Sequence, residues 1–240
     1  MSHSISPIGH VRSCFKEKFA IPRQPQLAPA ATGVLELLPP FDTGDAVEGL
    51  EQVSHVWLIF LFHQALEDKP RLKVRPPRLG GNQSMGVFAT RATHRPNGLG
   101  QSVVKLEKVE PGRLWLSGID LLDGTPVIDI KPYVPYADIV PDAHNAIADA
   151  PPSSIAVHWS DEALRQAHEH GLRLCQPVRE LVGNASPRTR ARPTRSRRPS
   201  AAMACACGTS TCTGTTPPMA RSACWTCNAP PTETSLSPQD

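Results

Sequence analysis

Three side chains that could hold an anion lie within five residues of one another in the segment GVFATRATHRPNGLG, residues 86–100. Arg91 and Arg95 carry positive charge, and the titratable His94 lies between them. Asn97, a proline and several glycines favour an open loop here. Because a guanidinium can donate two parallel hydrogen bonds to a carboxylate, the segment predicts a loop that holds an anionic ligand.

Other candidate ligand-binding residues are predicted where strands meet loops. They are Pro22, Arg23, Gln24, His63, Gln64 and the turn residues Asp123, Gly124, Thr125 and Pro126. Each group has a structural alternative. The first three residues suit a solvated loop equally well, and the His-Gln pair could cap the backbone at a strand end. An Asp-Gly dipeptide is more often a turn than a catalytic group. On residue types alone these alternatives stay open.

Asp129 and Lys131 form a further candidate pair. They alternate with Ile128 and Ile130, so in a regular strand both side chains would point to the same face. A carboxylate and an ammonium on one face could make an ordinary ion pair or serve proton transfer and anion binding. Both interpretations are equally compatible with the sequence.

The elements that must position these groups are strands separated by turns. Periodicity predicts strands over residues 5–11, 33–38, 55–63, 102–109, 113–121 and 127–130. The apolar run HVWLIFLFH predicts a strand that is buried on both faces. Helices are predicted near residues 44–51 and after Ser160, whose hydroxyl can cap a helix. Many close strands with few long helices predict a mainly β fold, a small single-sheet β-barrel with a few short helices.

The chain divides by composition into three parts. Residues 1–150 are predicted to form the barrel with its binding and catalytic groups, and 151–185 to begin a small C-terminal domain. Residues 186–240 contain no Ile, Val, Phe or Tyr, so a disordered tail is predicted. No apolar signal-like start or membrane-length apolar run is visible, which predicts a soluble cytoplasmic protein.

Common catalytic and metal-binding motifs are missing from the sequence. No G-x-G-x-x-G follows a strand, no P-loop lysine follows the glycines at 44 and 49, and no G-x-S-x-G elbow is present. Cys224 and Cys227 have zinc-knuckle spacing, but no second well-spaced pair accompanies them. Nucleotidase, hydrolase and metal-site interpretations are therefore disfavoured, and no metal is predicted.

Five blocks together resemble one known family. KEKFAIPRQPQL, SHVWLIFLFHQ, RPPRLGGN, MGVFATRATHRPNGLG and LDGTPVIDIKPY, in this order, closely resemble the tRNA-methyltransferase O (TrmO, TsaA-like) family. The resemblance covers about residues 5–182. It implies an S-adenosylmethionine-dependent tRNA methyltransferase whose barrel binds the methyl donor in place of a Rossmann-type sheet. It also implies a homodimer.

The resemblance also implies the substrate and the site. The expected substrate is an adenosine beside the tRNA anticodon that carries a threonylcarbamoyl group, and the exocyclic nitrogen receives the methyl group. The donor-binding positions of the family fall on Pro22, Arg23, Gln24, His63, Gln64, Arg91 and the 123–126 turn.

The remaining roles are hypotheses built on that resemblance. Arg95 or Lys131 could hold the carboxylate of the threonyl group, and Asn97 with its glycine neighbour lets the backbone approach the ligand. Asp129 could accept the departing proton. Asp129 and Lys131 are therefore the predicted catalytic residues.

The family pattern stops after Val182. Members usually continue with DPRPAY, whereas residues 188–194 are RTRARPT. If these seven residues are encoded CGG ACC CGC GCC CGG CCT ACC, reading from the last base of the first codon gives GAC CCG CGC CCG GCC TAC, which encodes DPRPAY. We therefore interpret the tail as translated out of frame after a lost nucleotide near residues 183–187. The family's small C-terminal domain would then be missing.

Two other functions stay compatible with the sequence. The barrel could bind S-adenosylmethionine or a nucleotide with little or no catalysis, because the C-terminal domain is lost. It could also methylate another RNA or a small molecule, since donor-binding residues do not discriminate between acceptors.

Overall fold

A computed structural model describes residues 4–18, 21–67, 69–76, 83–152 and 157–185. The strands are β1 (Gly9–Ser13), β2 (Thr32–Leu37), β3 (His55–Leu61), β4 (Lys73–Val74), β5 (Met85–Gly86), β6 (Leu99–Glu110), β7 (Arg113–Ser117) and β8 (Thr125–Pro132). The α-helices are α1 (Gly44–Val47), α2 (Pro135–Asp138), α3 (Asp161–Leu174) and α4 (Val178–Ala185). Short 3-10 turns cover Pro25–Leu27, Leu50–Gln52 and Val87–Ala89. The predicted tail at residues 186–240, with its cysteines, lies outside the described residues.

Six antiparallel strands close into a barrel in the order β1-β2-β7-β6-β3-β8. Strands β4 and β5 form a separate two-stranded ribbon within the long connection from β3 to β6. The predicted small β-barrel with few short helices is therefore confirmed. Closure pairs both edges of each barrel strand.

The barrel interior is filled by alternate residues of each strand. Strand β3 contributes Val56, Leu58 and Phe60, and β7 contributes Leu114 and Leu116, all of which are buried. The other face of β3 is half-buried, so the prediction of burial on both faces is wrong. The outer face of β3 also carries apolar residues, which is why the sequence run looked continuous and predicted a strand buried on both faces.

Several predicted strand ends need correction. Strand β1 begins at Gly9, not at residue 5, and β3 ends at Leu61, where the chain turns and the His63 N–H donates to the Leu61 carbonyl. Strand β7 ends at Ser117, not at 121, because Gly118 has a φ of 60° that no continuing strand residue adopts.

Three long connections leave the barrel at the same end. Because neighbouring strands are antiparallel, β1, β3 and β7 end, and β2, β6 and β8 begin, at the same end of the barrel. The β1–β2, β3–β6 and β7–β8 connections therefore lie there. We call this the loop end. The opposite end is closed by the β2–β3 connection, the tight β6–β7 turn and the exit of β8. Antiparallel topology thus gathers the predicted donor-binding segments at one end.

A bulge in β8 decides which way its polar residues point. Val127 pairs with Phe60, but Asp129 pairs with Ile59, so Ile128 is an extra residue between the two pairs. Val127 is buried inside the barrel, and without the bulge Asp129 would point inward too. With it, Asp129 and Lys131 are exposed on the outer face. They share one face, as predicted.

The C-terminal helices begin and pack in identifiable ways. The Ser160 hydroxyl accepts a hydrogen bond from the Ala163 N–H at 3.2 Å, which confirms the predicted cap of α3. Leu181 of α4 is 4% exposed and belongs to the same buried cluster as the barrel core. The Thr32 hydroxyl donates to Gln176 Oε1 at 3.0 Å, so the link between α3 and α4 contacts the loop end of the barrel.

Candidate functional site

Two of the predicted donor-binding residues meet at the loop end. Arg91 Nη1 donates to Gln24 Oε1 at 2.5 Å, which joins the β3–β6 and β1–β2 connections. The Gln24 amide nitrogen in turn donates to the Arg23 carbonyl at 2.6 Å. Arg91 is exposed, so its remaining N–H groups can face a ligand while Gln24 holds the guanidinium.

A second link between the same two connections lies beside it. Lys18 Nζ donates to the Gln64 carbonyl, and His63 lies near both Lys18 and His10. Burial lowers the pKa of His63; a backbone hydrogen bond to Leu61 opposes this effect, and repulsion from His10 and Lys18 adds to it. Because its pKa is lowered, His63 favours the neutral imidazole, which can donate one hydrogen bond and accept another.

The 123–126 turn is held together by its own side chains. Asp123 Oδ1 accepts a hydrogen bond from the Ser13 N–H at 2.9 Å, and Oδ2 lies 3.0 Å from Lys16 Nζ. The Thr125 hydroxyl donates to the Leu122 carbonyl at 2.7 Å. Gly124 has a φ of 77° and nothing within 4 Å of the position a Cβ would take. The turn therefore offers open backbone, rather than these two side chains, to a ligand.

Arg95 folds its own loop. Its Nη1 donates to the carbonyls of Val87 at 2.9 Å and Thr90 at 2.8 Å, and its guanidinium lies 5.6 Å from the centre of the Phe88 ring. The predicted role of Arg95 in holding a substrate carboxylate stays a prediction. Asn97 is exposed in the same loop.

His94 faces an acidic residue instead of the predicted anion. Its Nδ1 is buried 3.2 Å from Glu67 Oε1, and Glu67 also pairs with Arg71 at 2.6 Å. The hydrogen bond from Arg71 is the main cause that lowers the pKa of Glu67, so this carboxylate stays ionised. Of the three charged or titratable groups in the loop, Arg91 is the one that projects to solvent.

Asp129 and Lys131 are not brought to Arg91 within one chain. Asp129 is four residues along β8 from Thr125, roughly 13 Å towards the opposite end of the barrel, and both side chains point outward. Asp129 Oδ1 accepts a hydrogen bond from the Ile130 N–H at 2.9 Å. Their predicted catalytic roles stay predictions.

Asp120 is a candidate functional residue that the sequence analysis missed. It lies in the β7–β8 connection, and its Oδ1 is buried with no hydrogen-bond partner among the described residues. Burial raises the pKa of Asp120 to about 6, against smaller opposing effects from a Ser102 hydrogen bond and the charge of Arg91. The segment GIDLL gives no sign of this, because Ser102 and Arg91 approach Asp120 only after the barrel closes.

The described residues contain neither a metal-binding cluster nor a membrane-spanning helix. No group of three or more His, Cys, Asp or Glu side chains in that part of the chain could hold a metal ion. In the same residues, no helix has the length and apolar character needed to cross a membrane.

The fold and the loop-end groups define a class: a small closed β-barrel whose ligand-binding residues lie on long connections at one end. Within that class, the chain belongs to the family of the tRNA-methyltransferase O N-terminal domain, whose family model matches residues 10–139. The resemblance stated from the five sequence blocks is confirmed.

Similar proteins agree with this membership. The Escherichia coli tRNA (adenine(37)-N6)-methyltransferase is 51% identical over 170 residues, 69% of this chain and 72% of that protein. A Pseudomonas aeruginosa protein, named provisionally as an S-adenosylmethionine-dependent methyltransferase, is 81% identical over 182 residues, 76% of this chain and 79% of that protein. The crystal structure of TrmO from Pseudomonas aeruginosa matches with a TM-score of 0.71 at 68% identity, covering 81% of this chain and 86% of that one.

Proposed function

We propose that this protein transfers a methyl group from S-adenosylmethionine to the exocyclic nitrogen of adenosine 37 in tRNA. The observation that supports this most directly is the exposed Arg91 held by Gln24 at the loop end, in a chain of this family. The Escherichia coli relative carries the name of that activity. The finer parts of the proposal are a threonylcarbamoylated adenosine as substrate, a homodimer and a cytoplasmic location.

The loop-end residues fit the chemistry of the proposed cofactor. S-adenosylmethionine has a carboxylate, an ammonium and a sulfonium. Arg91 would hold the carboxylate, and the neighbouring acidic Asp120, whose Oδ1 finds no partner among the described residues, would balance the positive groups. The open backbone at Gly124 and the segments at 22–24 and 63–64 would complete the contact.

The cofactor supplies an activated methyl group, and the chain supplies position. Methyl transfer needs the donor carbon, the sulfur and the acceptor nitrogen in line, so fixed contacts contribute more than acid or base groups. Arg91 bound to Gln24, and Lys18 bound to the Gln64 carbonyl, fix the two connections relative to each other. The proposed homodimer would bring Asp129 and Lys131 of a second copy near the Arg91 site of the first. In that arrangement Asp129 would accept the proton and Lys131 would hold the substrate carboxylate.

Titration calorimetry with S-adenosylmethionine tests the donor site. We expect Arg91→Ala to weaken binding by about 10- to 100-fold, because a charge-assisted hydrogen bond contributes roughly 1.5–3 kcal/mol. Arg113→Ala is the matched control, since Arg113 is exposed at the start of β7, at the opposite end of the barrel. Equal affinity of the wild type and the Arg91 variant would contradict the proposed site.

The alternative is a barrel that binds S-adenosylmethionine or a nucleotide with little catalysis. The break in the family pattern after Val182 favours it. A methylation assay that compares threonylcarbamoylated with unmodified tRNA separates the two functions. Cofactor binding without methylation of either tRNA would favour the binding module, and methylation of the modified tRNA supports the enzyme.

A further inference from the structure

The β3–β6 connection is much more basic than the rest of the folded region. Residues 62–100 contain seven Lys and Arg against two Asp and Glu. The remainder of residues 1–185 contains 11 against 18. A positive connection on an otherwise acidic body gives the loop end a local attraction for a polyanion.

Within this connection two large apolar side chains are exposed on neighbouring backbone segments. Phe88 and Leu72 are each 76% exposed. Their backbone segments are joined, because the Val87 N–H donates to the Leu72 carbonyl at 3.0 Å beside the pairing of β4 with β5. Lys73 and Arg75 follow directly along the ribbon and are also exposed.

The Phe88 ring is supported from one side. The Arg95 guanidinium lies 5.6 Å from the ring centre, and Arg95 is itself fixed by its two hydrogen bonds to the carbonyls of Val87 and Thr90. With a cation fixed against it and 76% of its surface exposed, the ring can present apolar area without much further ordering.

An exposed aromatic ring flanked by cations is the arrangement that proteins use to bind unpaired nucleotides. Bases stack on the ring while lysine and arginine contact the phosphates. Phe88 also lies three residues from Arg91, so their Cα atoms are within about 11 Å of each other. A base on Phe88 would therefore be close to the donor site.

We propose that Phe88 is a stacking platform for an unpaired nucleotide next to the methylated adenosine, with Lys73 and Arg75 contacting its phosphates. This inference rests on the proposed function and names the surface that takes the RNA. A second copy of the chain on the same apolar residues is the competing occupant, but the positive charge of the connection favours RNA over a copy that carries the same charge.

The test measures binding of an anticodon stem-loop RNA to the full chain by fluorescence anisotropy. We expect Phe88→Ala to weaken binding by about 5- to 100-fold, since base stacking contributes roughly 1–3 kcal/mol per base. Phe88→Trp should bind within about threefold of the wild type, because the larger ring can still stack. Phe41→Ala is the matched control, as Phe41 is 42% exposed on the β2–β3 connection at the opposite end.

Two further measurements keep this inference separate from the proposed function. Calorimetry should give unchanged S-adenosylmethionine affinity for Phe88→Ala; a wild type that binds no cofactor would defeat the proposed function instead. Light scattering should give an unchanged molecular mass. Three results would each overturn the stacking platform. The first is an unchanged RNA affinity of Phe88→Ala, and the second is an equal loss of affinity for stem-loop and fully paired RNA. The third is a loss of RNA affinity accompanied by a fall in molecular mass, which would show that Phe88 acts through self-association.

Discussion

At the scale of single residues, the carboxyl of Asp120 shows how a binding site can cost stability. Its Oδ1 is buried without a partner among the described residues, and burial raises its pKa to about 6. Because this value lies above the unfolded value of 3.8, the native state holds the proton more tightly than the unfolded chain. The contribution of Asp120 to stability is therefore most favourable below pH 4 and is lost as pH rises through about 6.

We predict that Asp120→Asn raises the free energy of unfolding at pH 7 by up to about 3 kcal/mol, because the amide carries no charge to bury. Urea unfolding of both proteins from pH 4 to pH 8 measures this. The difference between variant and wild type should shrink towards pH 4. A variant less stable than the wild type at pH 7 would contradict it. Cofactor affinity should fall in the same variant, and unchanged affinity would remove Asp120 from the donor site.

The residue types predicted where the binding loop lies, but they did not predict what each of its side chains contacts. The sequence singles out Arg91, Arg95 and His94. Only the fold shows that Arg95 donates its hydrogen bonds to backbone carbonyls and that Glu67 faces His94. These partners come from main chain or from a residue more than 20 positions away. Asp120 was missed for the same reason, because its burial depends on a neighbouring strand.

At the scale of elements, the helices after residue 160 show how the C-terminal part joins the barrel. The Ser160 cap was predictable, because capping depends on adjacent residues. The packing of Leu181 into the barrel cluster was not predictable, since it depends on how α3 and α4 pack against the barrel. The bulge at Ile128 was equally hidden, because the alternating pattern of β8 continues through it.

We predict that Leu181→Ala lowers the free energy of unfolding by about 2–4 kcal/mol, because it leaves a cavity in the shared cluster. Leu172→Ala is the control: this leucine is 69% exposed on α3, and its loss should change stability by no more than about 0.5 kcal/mol. Thermal and urea unfolding give both values. Equal small effects would mean that α4 does not share the barrel core, which would favour a separate C-terminal domain beginning at 151.

At the scale of the whole molecule, charge is divided between the loop end and the barrel body. Antiparallel topology places the basic β3–β6 connection with the donor-binding segments, while most acidic residues lie elsewhere. The sequence predicted the barrel itself, because strand spacing and turns are local signals. It did not show which connections share an end, since that follows from pairings between distant strands.

We predict that RNA binding weakens as salt rises, and that replacing both Lys73 and Arg75 with alanine reduces the slope of log K against log salt by about 1 to 2. Replacing Lys105 and Lys108 removes the same charge from β6, where these lysines pair with Glu107 at 3.1 Å and Glu110 at 2.5 Å. That control should leave the slope nearly unchanged. Equal slopes for both double variants would show that the ribbon does not contact phosphates.

Closure of the six-stranded sheet also limits how the protein can join other chains. In a closed barrel every strand has a neighbour on both sides, so the barrel lacks the free outer strand to which another polypeptide could add by main-chain hydrogen bonds. The short β4–β5 ribbon, in contrast, is a two-stranded sheet in which each strand has a neighbour on one side only. Strand addition to the folded protein is therefore easiest at a ribbon only two residues long on each side, and the lysine and arginine beside it oppose that process.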